Sequence, residues 1–289
     1  MIVGLFRSLR PKQWTKNGFI FTPLIFDVKL FQFEPLLNSV IGFFILCLIS
    51  GTVYLVNDLV DIEKDRNHPI KKNRPIPAGQ VPVTAAIAAA VILPAICLPI
   101  SYILEPMFGL IVTGYLILQI AYSFILKNIV IIDVLTIALG FVFRVASGVP
   151  LVQAERFSPW LYVFTVLLAL FLGFGKRRQE LVLLKGQSTT RAILNQYNLP
   201  FLDSMMSIVT TGTIITYAFY TFSAPNLPDN HLMMLSIPFV MYGIFRYLHI
   251  VHVQGNGGAP DEVLLTDLPL QITLALFMIT VFLILYPFN

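Results

Sequence analysis

The stretch that decides the fold is Asn57-Asp58-Leu59-Val60-Asp61-Ile62-Glu63-Lys64-Asp65-Arg66, which follows eighteen residues, Ser39 to Val56, without a single charge. An uncharged run of that length is enough for a membrane-crossing helix of about 18–20 residues. The polar stretch then sits where the helix reaches water. Asp58, Asp61 and Asp65 are spaced three and four apart, which puts them on one helical face. Three carboxylates on one face repel each other unless a cation neutralises them. Mg²⁺ suits oxygen ligands and commonly bridges one or two carboxylates to substrate phosphates. Arg66, Lys71, Lys72 and Arg74 follow at once. Acids and bases in one patch suit a metal–phosphate ligand better than a bare metal.

Composition sets the solvent. The chain has 289 residues, 57% hydrophobic and only 12% charged, with a mean hydropathy of +0.81. Soluble domains carry about 25% charged residues, so this is an integral membrane protein with small extramembrane parts and no separate soluble domain. Cys47 and Cys97 fall inside apolar runs and make no metal spacing or disulfide framework. No cleavable signal peptide is evident. The net charge of +4 lies in the loops and is no nucleic-acid signature.

Nine apolar spans are expected, at about 17–33, 38–56, 82–104, 107–125, 129–151, 158–175, 204–224, 231–251 and 268–287. The first is the least apolar, holding Asp27 and Lys29; the third holds Pro94 and Pro99, which predict a kink or break. Arg7, Arg10, Lys12 and Lys16, then Lys64 to Arg74, then Lys127, then Lys176 to Arg191 occupy alternate connections; Lys29 and Arg156 alone break that alternation. The asymmetry predicts that the N-terminus and all the basic loops are cytoplasmic.

Several clusters on that side carry candidate chemistry. Arg10-Pro11-Lys12-Gln13-Trp14-Thr15-Lys16-Asn17 reads either as an interfacial anchor or as a phosphate-binding lip. Tyr122 and Lys127 end the fourth span, where Lys127 alone would be an ordinary snorkelling charge. Asp133 and Arg144 lie within the fifth span. Intramembrane charges mark function or an ion pair, and at about 1.5 Å per residue these two are about 16 Å apart along a straight helix. Arg144 is therefore expected to pair with another helix. Gly175-Lys176-Arg177-Arg178-Gln179-Glu180 ends the sixth span, offering three bases and one acid. Arg246 and a Gly-rich turn, Gly255 to Glu262, precede the last span. Backbone N–H groups of such a turn can hold an anion, though many are only flexible loops. His249 and His252 have no obvious third ligand.

The pattern N-D-x-x-D-x-x-x-D, followed by R-P-I-P-A-G at Arg74 to Gly79, resembles the first aspartate-rich motif of the UbiA superfamily of membrane prenyltransferases. The resemblance covers the whole chain and implies an all-α, nine-helix transmembrane domain over residues 1–289, around a central cavity opening to the cytoplasm. Four features resemble, within it, the branch of decaprenyl-phosphate phosphoribosyltransferases: R-P-K-Q-W-T-K-N from Arg10, R-N-H-P-I-K-K-N-R-P-I from Arg66, Y-S-x-x-L-K from Tyr122 and G-x-G-x-A-P-x-E from Gly255. One departure stands out: the second acidic motif typical of the superfamily is replaced by Lys176, Arg177, Arg178 and Glu180. The resemblance implies transfer of 5-phosphoribose from phosphoribosyl diphosphate to a polyprenyl phosphate in a bacterial or archaeal cell membrane. It implies Mg²⁺ as cofactor on Asp58, Asp61 and Asp65. Asp58, Asp61 and Lys127 are then the catalytic candidates. Lys12, Asn57, Arg66, Arg74, Tyr122, Lys176, Arg177, Glu180 and Arg246 are the substrate-binding ones. A conventional prenyltransferase, moving a prenyl group from its diphosphate to an aromatic or lipid acceptor, is the alternative, and a transporter of a phosphorylated solute a further one. Lipid length, the number of Mg²⁺ ions and any homo-oligomer stay open.

Overall fold

The computed structural model describes residues 1–67, 71–154, 158–183, 192–225, 227–254, 263–264 and 266–286. Among them, eight helices are long and apolar enough to cross a membrane, and no strand occurs. Residues 1–136 and 140–155 form one compact unit, residues 137–139 and 156–289 a second.

The first unit begins with a short helix, α1 (Ile2–Ser8), then a 3₁₀ helix, Pro11–Phe21, running into α2 (Thr22–Phe26). The continuous α-helix expected near 17–33 is therefore a composite that starts earlier. Pro11 at its start and Pro23 within it remove amide donors from the i→i−4 ladder. At about 2.0 Å per 3₁₀ residue and 1.5 Å per α residue, the composite is about 30 Å long, the thickness of a hydrocarbon core. Its two charges are explained just beyond it. Asp27 and Lys29 pair at 2.8 Å, and Lys29 Nζ donates to the carbonyls of Val152 and Gln153 at 2.9 and 3.1 Å, capping the end of a later helix.

That helix is α7 (Ile132–Leu151). Before it come α3 (Phe33–Val60), α4 (Ile62–Arg66), α5 (Val83–Leu104) and α6 (Pro106–Phe124). At 28 residues, α3 spans about 42 Å, so its last turns project beyond the apolar run and carry Asn57 and Asp58 with them. α5 stays one helix through Pro94 and Pro99, so of the kink or break expected there, no break occurs. α5 and α6 form a hairpin across the single residue Glu105, held extended (φ −161°) by the following Pro106. Both pack on α3, closing a core of Ile45, Leu46, Ile49, Val53, Phe108 and Val112.

The second unit holds α8 (Pro159–Leu183), α9 (Leu199–Ser223), α10 (Ile237–His249) and α11 (Leu268–Leu285). α8 packs along α9, and α10 against α11. Asn198 caps α9 by accepting from the Phe201 amide at 2.8 Å, and Asp267 caps α11 by accepting from the Leu270 amide at 2.9 Å, the N-cap role short polar side chains favour. Phe171 and Tyr247 meet edge to face, with ring centroids 5.1 Å apart.

Candidate active site

The acidic stretch folds into two helices, not one. α3 ends at Val60 and α4 starts at Ile62, with Asp61 between them off helical geometry (φ −98°, ψ 13°). This break sorts the three carboxylates. Asp58 and Asp65 are almost fully buried, at 1% and 3% exposure, and share one partner: Arg74 Nη1 lies 3.0 Å from Asp58 Oδ1 and 2.5 Å from Asp65 Oδ2. Arg10 Nη2 donates to Asp58 Oδ1 at 2.5 Å, and Lys71 Nζ stands 3.8 Å from Asp65 Oδ1. Asp61 faces elsewhere, its two oxygens 3.0 and 2.8 Å from Lys127 Nζ. The first unit thus brings three acids to four bases from separate parts of the chain.

The arrangement is costly unless every charge is answered, because each carboxylate is partly or wholly removed from water. Local strain marks it too. Arg10 sits in the left-handed region (φ 53°, ψ 63°) although it is not glycine, a conformation that persists only where surroundings impose it. Its guanidinium lies over the Tyr54 ring at 4.6 Å while bonding Asp58.

These residues fit a divalent cation. A single positive nitrogen already touches oxygens of Asp58 and Asp65, so the two carboxylates converge on one point of positive charge. Among the described residues, no three His, Cys, Asp or Glu side chains form a metal cage by themselves. Mg²⁺ does not need one, since it keeps waters and completes its shell with substrate phosphates.

The other expected residues divide. Arg74, Lys127 and the three aspartates come together as described. Asn57 and Tyr122 are half-buried beside the cluster in sequence. Lys12 is exposed and Arg66 pairs with exposed Glu63 at 2.7 Å, so neither touches the three aspartates. Sequence spacing does not single out Arg10 or Lys71. Arg10 lies in the N-terminal motif quoted above, but only the fold shows that it, rather than Lys12, reaches Asp58. In the second unit, Arg177 is buried and donates to Glu180 at 2.7 Å, Lys176 is half-buried, and Arg246 binds Asp267 at 2.7 Å. The bonds from Arg246 hold the Asp267 carboxyl below the usual carboxylate range. The Gly255–Glu262 turn lies outside the described residues.

Arg144 corrects its expectation. It is buried at 7% exposure, and its partners are neutral: Asn17 Oδ1 at 2.8 Å, the Gly140 carbonyl at 2.7 Å and Tyr115 Oη at 2.8 Å. Among the described residues it makes no ion pair. The delocalised guanidinium instead spreads its charge over three oxygens and the Tyr115 ring, 5.0 Å away.

A model of the UbiA prenyltransferase family matches residues 29–263. The decaprenyl-phosphate phosphoribosyltransferase of Corynebacterium glutamicum is 33% identical over 93% of this chain and 82% of its own. The enzyme of the same name from Mycobacterium tuberculosis is 30% identical over 97% of this chain and 94% of its own. A UbiA homologue from Archaeoglobus fulgidus, solved with DMAPP and Mg²⁺, superposes with a TM-score of 0.76 at 19% identity, covering 98% of this chain and 99% of that one. With its stacked apolar helices and the acid–base cluster at the end of α3, the chain is a multi-pass membrane transferase belonging to the UbiA prenyltransferase family.

Proposed function

We propose that the protein transfers 5-phosphoribose from phosphoribosyl diphosphate to a polyprenyl phosphate of the decaprenyl type, releasing diphosphate, with Mg²⁺ as cofactor. The observation that carries this reading is the near full-length similarity, at 30–33% identity, to enzymes named for that transfer. The cluster supports it, because four bases around three acids leave a positive surplus for a diphosphate. Positive-inside asymmetry favours the cytoplasmic membrane face for this cluster, where a soluble phosphoribosyl donor is available.

The chemistry follows from the side chains. Asp58 and Asp65 would hold Mg²⁺, which when bound would neutralise charge on the donor's diphosphate; Asp61, expected as a third ligand, is turned to Lys127 instead. Arg10, Arg74 and Lys71, already ordered by the carboxylates, turn toward the same diphosphate. Lys127, held at Asp61, stabilises charge building on the leaving group, the kind of electrostatic help that lowers the barrier most in many enzymes. The bond from ribose C1 to the diphosphate oxygen breaks, and an oxygen of the lipid phosphate bonds to C1 from the opposite face, inverting it. That oxygen is anionic at neutral pH, so no side chain has to take a proton. The polyprenyl tail stays in the bilayer, which is why a membrane fold serves a transfer between phosphates.

Lys176 of α8 remains a candidate for donor phosphate, read by the donor KM of Lys176→Gln; Arg177 is already committed to Glu180. The overall reading is tested by incubating purified protein with polyprenyl phosphate, Mg²⁺ and labelled phosphoribosyl diphosphate. Lipid-soluble label is expected. Turnover only with a prenyl diphosphate and an aromatic acceptor would replace this reading with a conventional prenyltransferase.

A further inference from the structure

The 3₁₀ helix from Pro11 to Phe21 is 11 residues long. Runs beyond three or four residues are uncommon, because 3₁₀ hydrogen bonds are poorly aligned and side chains eclipse. A run this long has to be held from outside, and the structure shows where. At one end, Arg10 is clamped to Asp58 and Tyr54. Seven residues on, within the same helix, Asn17 is buried at 1% exposure and engaged through both its amide nitrogen and its oxygen. Its Nδ2 donates to Ser50 Oγ at 3.0 Å and to Cys47 Sγ at 3.3 Å, and its Oδ1 accepts from Arg144 Nε at 2.8 Å. Just beyond, the backbone oxygen of Ile20 comes so close to Gly148 of α7 that a Cβ there would collide with it.

The two anchors match along α3. Arg10 to Asn17 covers about 14 Å as 3₁₀, and Ser50 to Asp58 about 12 Å as α-helix. The segment therefore lies antiparallel to α3 as a strut fixed at both ends. If the Asn17 anchor let go and the seven residues relaxed to α-helical rise, the strut would shorten by about 3.5 Å. That exceeds the tolerance of any hydrogen bond, so Arg10 would leave Asp58.

We infer that Arg144 is a positioning residue for the diphosphate site: by gripping Asn17 it sets the length of the 3₁₀ strut and so places Arg10 on Asp58. This explains a buried cation with only neutral partners. Three rigid donors reach three oxygens on the 3₁₀ segment, α6 and α7 at once, a task for a planar fork rather than a point charge. The inference rests on the proposed reading that the Asp58–Asp65 face receives a diphosphate.

A double-mutant cycle tests it, using Mg²⁺-diphosphate as the probe and calorimetry on the detergent-purified full chain. Diphosphate is the leaving group of phosphoribosyl and prenyl donors alike, so the result does not depend on which donor is used. Arg10→Gln is expected to weaken binding about tenfold, the order of a charge-assisted bond. Arg144→Gln should weaken it about five- to tenfold. Together they should be within about twofold of Arg10→Gln alone, because both act through one contact. Binding stoichiometry separates misfolding from lost affinity, since unfolded protein lowers the number of sites and not their affinity. Should Arg144→Gln fail to fold, Asn17→Ser takes its place in the cycle, with Arg144 still held by Tyr115 and Gly140. Multiplicative losses, or an unchanged affinity in Arg144→Gln, would overturn the inference. Wild-type protein that binds no Mg²⁺-diphosphate would overturn the reading of the site itself.

Discussion

Replacing Arg74 by Gln removes the one nitrogen shared by Asp58 and Asp65, and its consequence can be worked out from the distances. An oxygen of each carboxylate lies 3.0 and 2.5 Å from that nitrogen, which keeps the two oxygens within about 5.5 Å of each other. Two unit charges at that separation repel by about 3 kcal/mol at an effective dielectric of 20. Arg10 still faces Asp58 and Lys71 still faces Asp65, so the net loss should be about 2 kcal/mol. For a chain of 289 residues that is about 3 °C in Tm. The same change frees two converging carboxylates for a cation. Thermal unfolding in detergent, with chelator and with millimolar Mg²⁺, should show Arg74→Gln melting lower than wild type in chelator. Mg²⁺ should then raise its Tm more than that of wild type, since a ligand stabilises according to its occupancy of the folded state. Adding Asp65→Asn should remove that extra response. If Mg²⁺ raises both proteins equally, Asp58 and Asp65 are not a cation site.

Three further outcomes are expected. Asp61→Asn should abolish most turnover while the protein remains membrane-inserted, because Lys127 loses the charge that orients it; near-normal turnover at limiting Mg²⁺ would remove Asp61 from the site. Gly148→Ala should destabilise by at least about 1–3 kcal/mol, the usual range for overpacking, since the new Cβ meets backbone rather than a movable side chain; an unchanged Tm would show that α7 can move away from the 3₁₀ strut. The Asp267 carboxyl is held below the usual carboxylate range, chiefly by the bonds from Arg246. Its stabilising contribution is therefore complete above the ordinary value of about 4 and is lost as pH falls through the lowered one. Tm measured against pH should show the gap between wild type and Asp267→Asn closing only in that acid range, and a gap that closes near neutrality would be inconsistent with the pairing.

Much of this is legible in the sequence because its signals are local. The charge-free run before Asp58 announces a membrane helix ending at a polar mouth, and the three- and four-residue spacing announces a carboxylate cluster. Spacing along one helix cannot show that the helix breaks at Asp61, turning that residue to Lys127 and leaving Asp58 and Asp65 to Arg74. Nor can it show which base reaches which acid. Arg10 and Lys12 are equivalent by composition, and only the left-handed turn at Arg10 and the 3₁₀ path after it direct one inward and leave the other exposed. Apolar content does not distinguish 3₁₀ from α, so residues 17–26 read as part of an ordinary apolar span, and Arg10 to Asn17 as an anchor or phosphate-binding lip before it. A buried cation normally requires an acid, and Arg144 departs from that rule. Its partners Asn17 and Tyr115 are 127 and 29 residues away in the chain, and amides and phenols carry no charge pattern to mark them.

On the proposed reading, the ion pairs of the cluster make substrate binding an exchange of partners. Each base that meets the diphosphate must first loosen its hold on a carboxylate, and a carboxylate released in this way is costly unless a cation replaces the base. Arg74 shows this most directly, since it cannot leave Asp58 and Asp65 for a phosphate without exposing two converging negative charges. Diphosphate binding therefore raises the affinity of those carboxylates for Mg²⁺, and by linkage Mg²⁺ raises the affinity for diphosphate by the same factor. Arg74→Gln should weaken that linkage. The variant would hold Mg²⁺ well without diphosphate, and diphosphate would strengthen it less than in the wild type, because only the direct attraction between the two ligands is left. A wild-type protein in which the two ligands bind independently would mean that the carboxylates and bases of this cluster serve the fold alone.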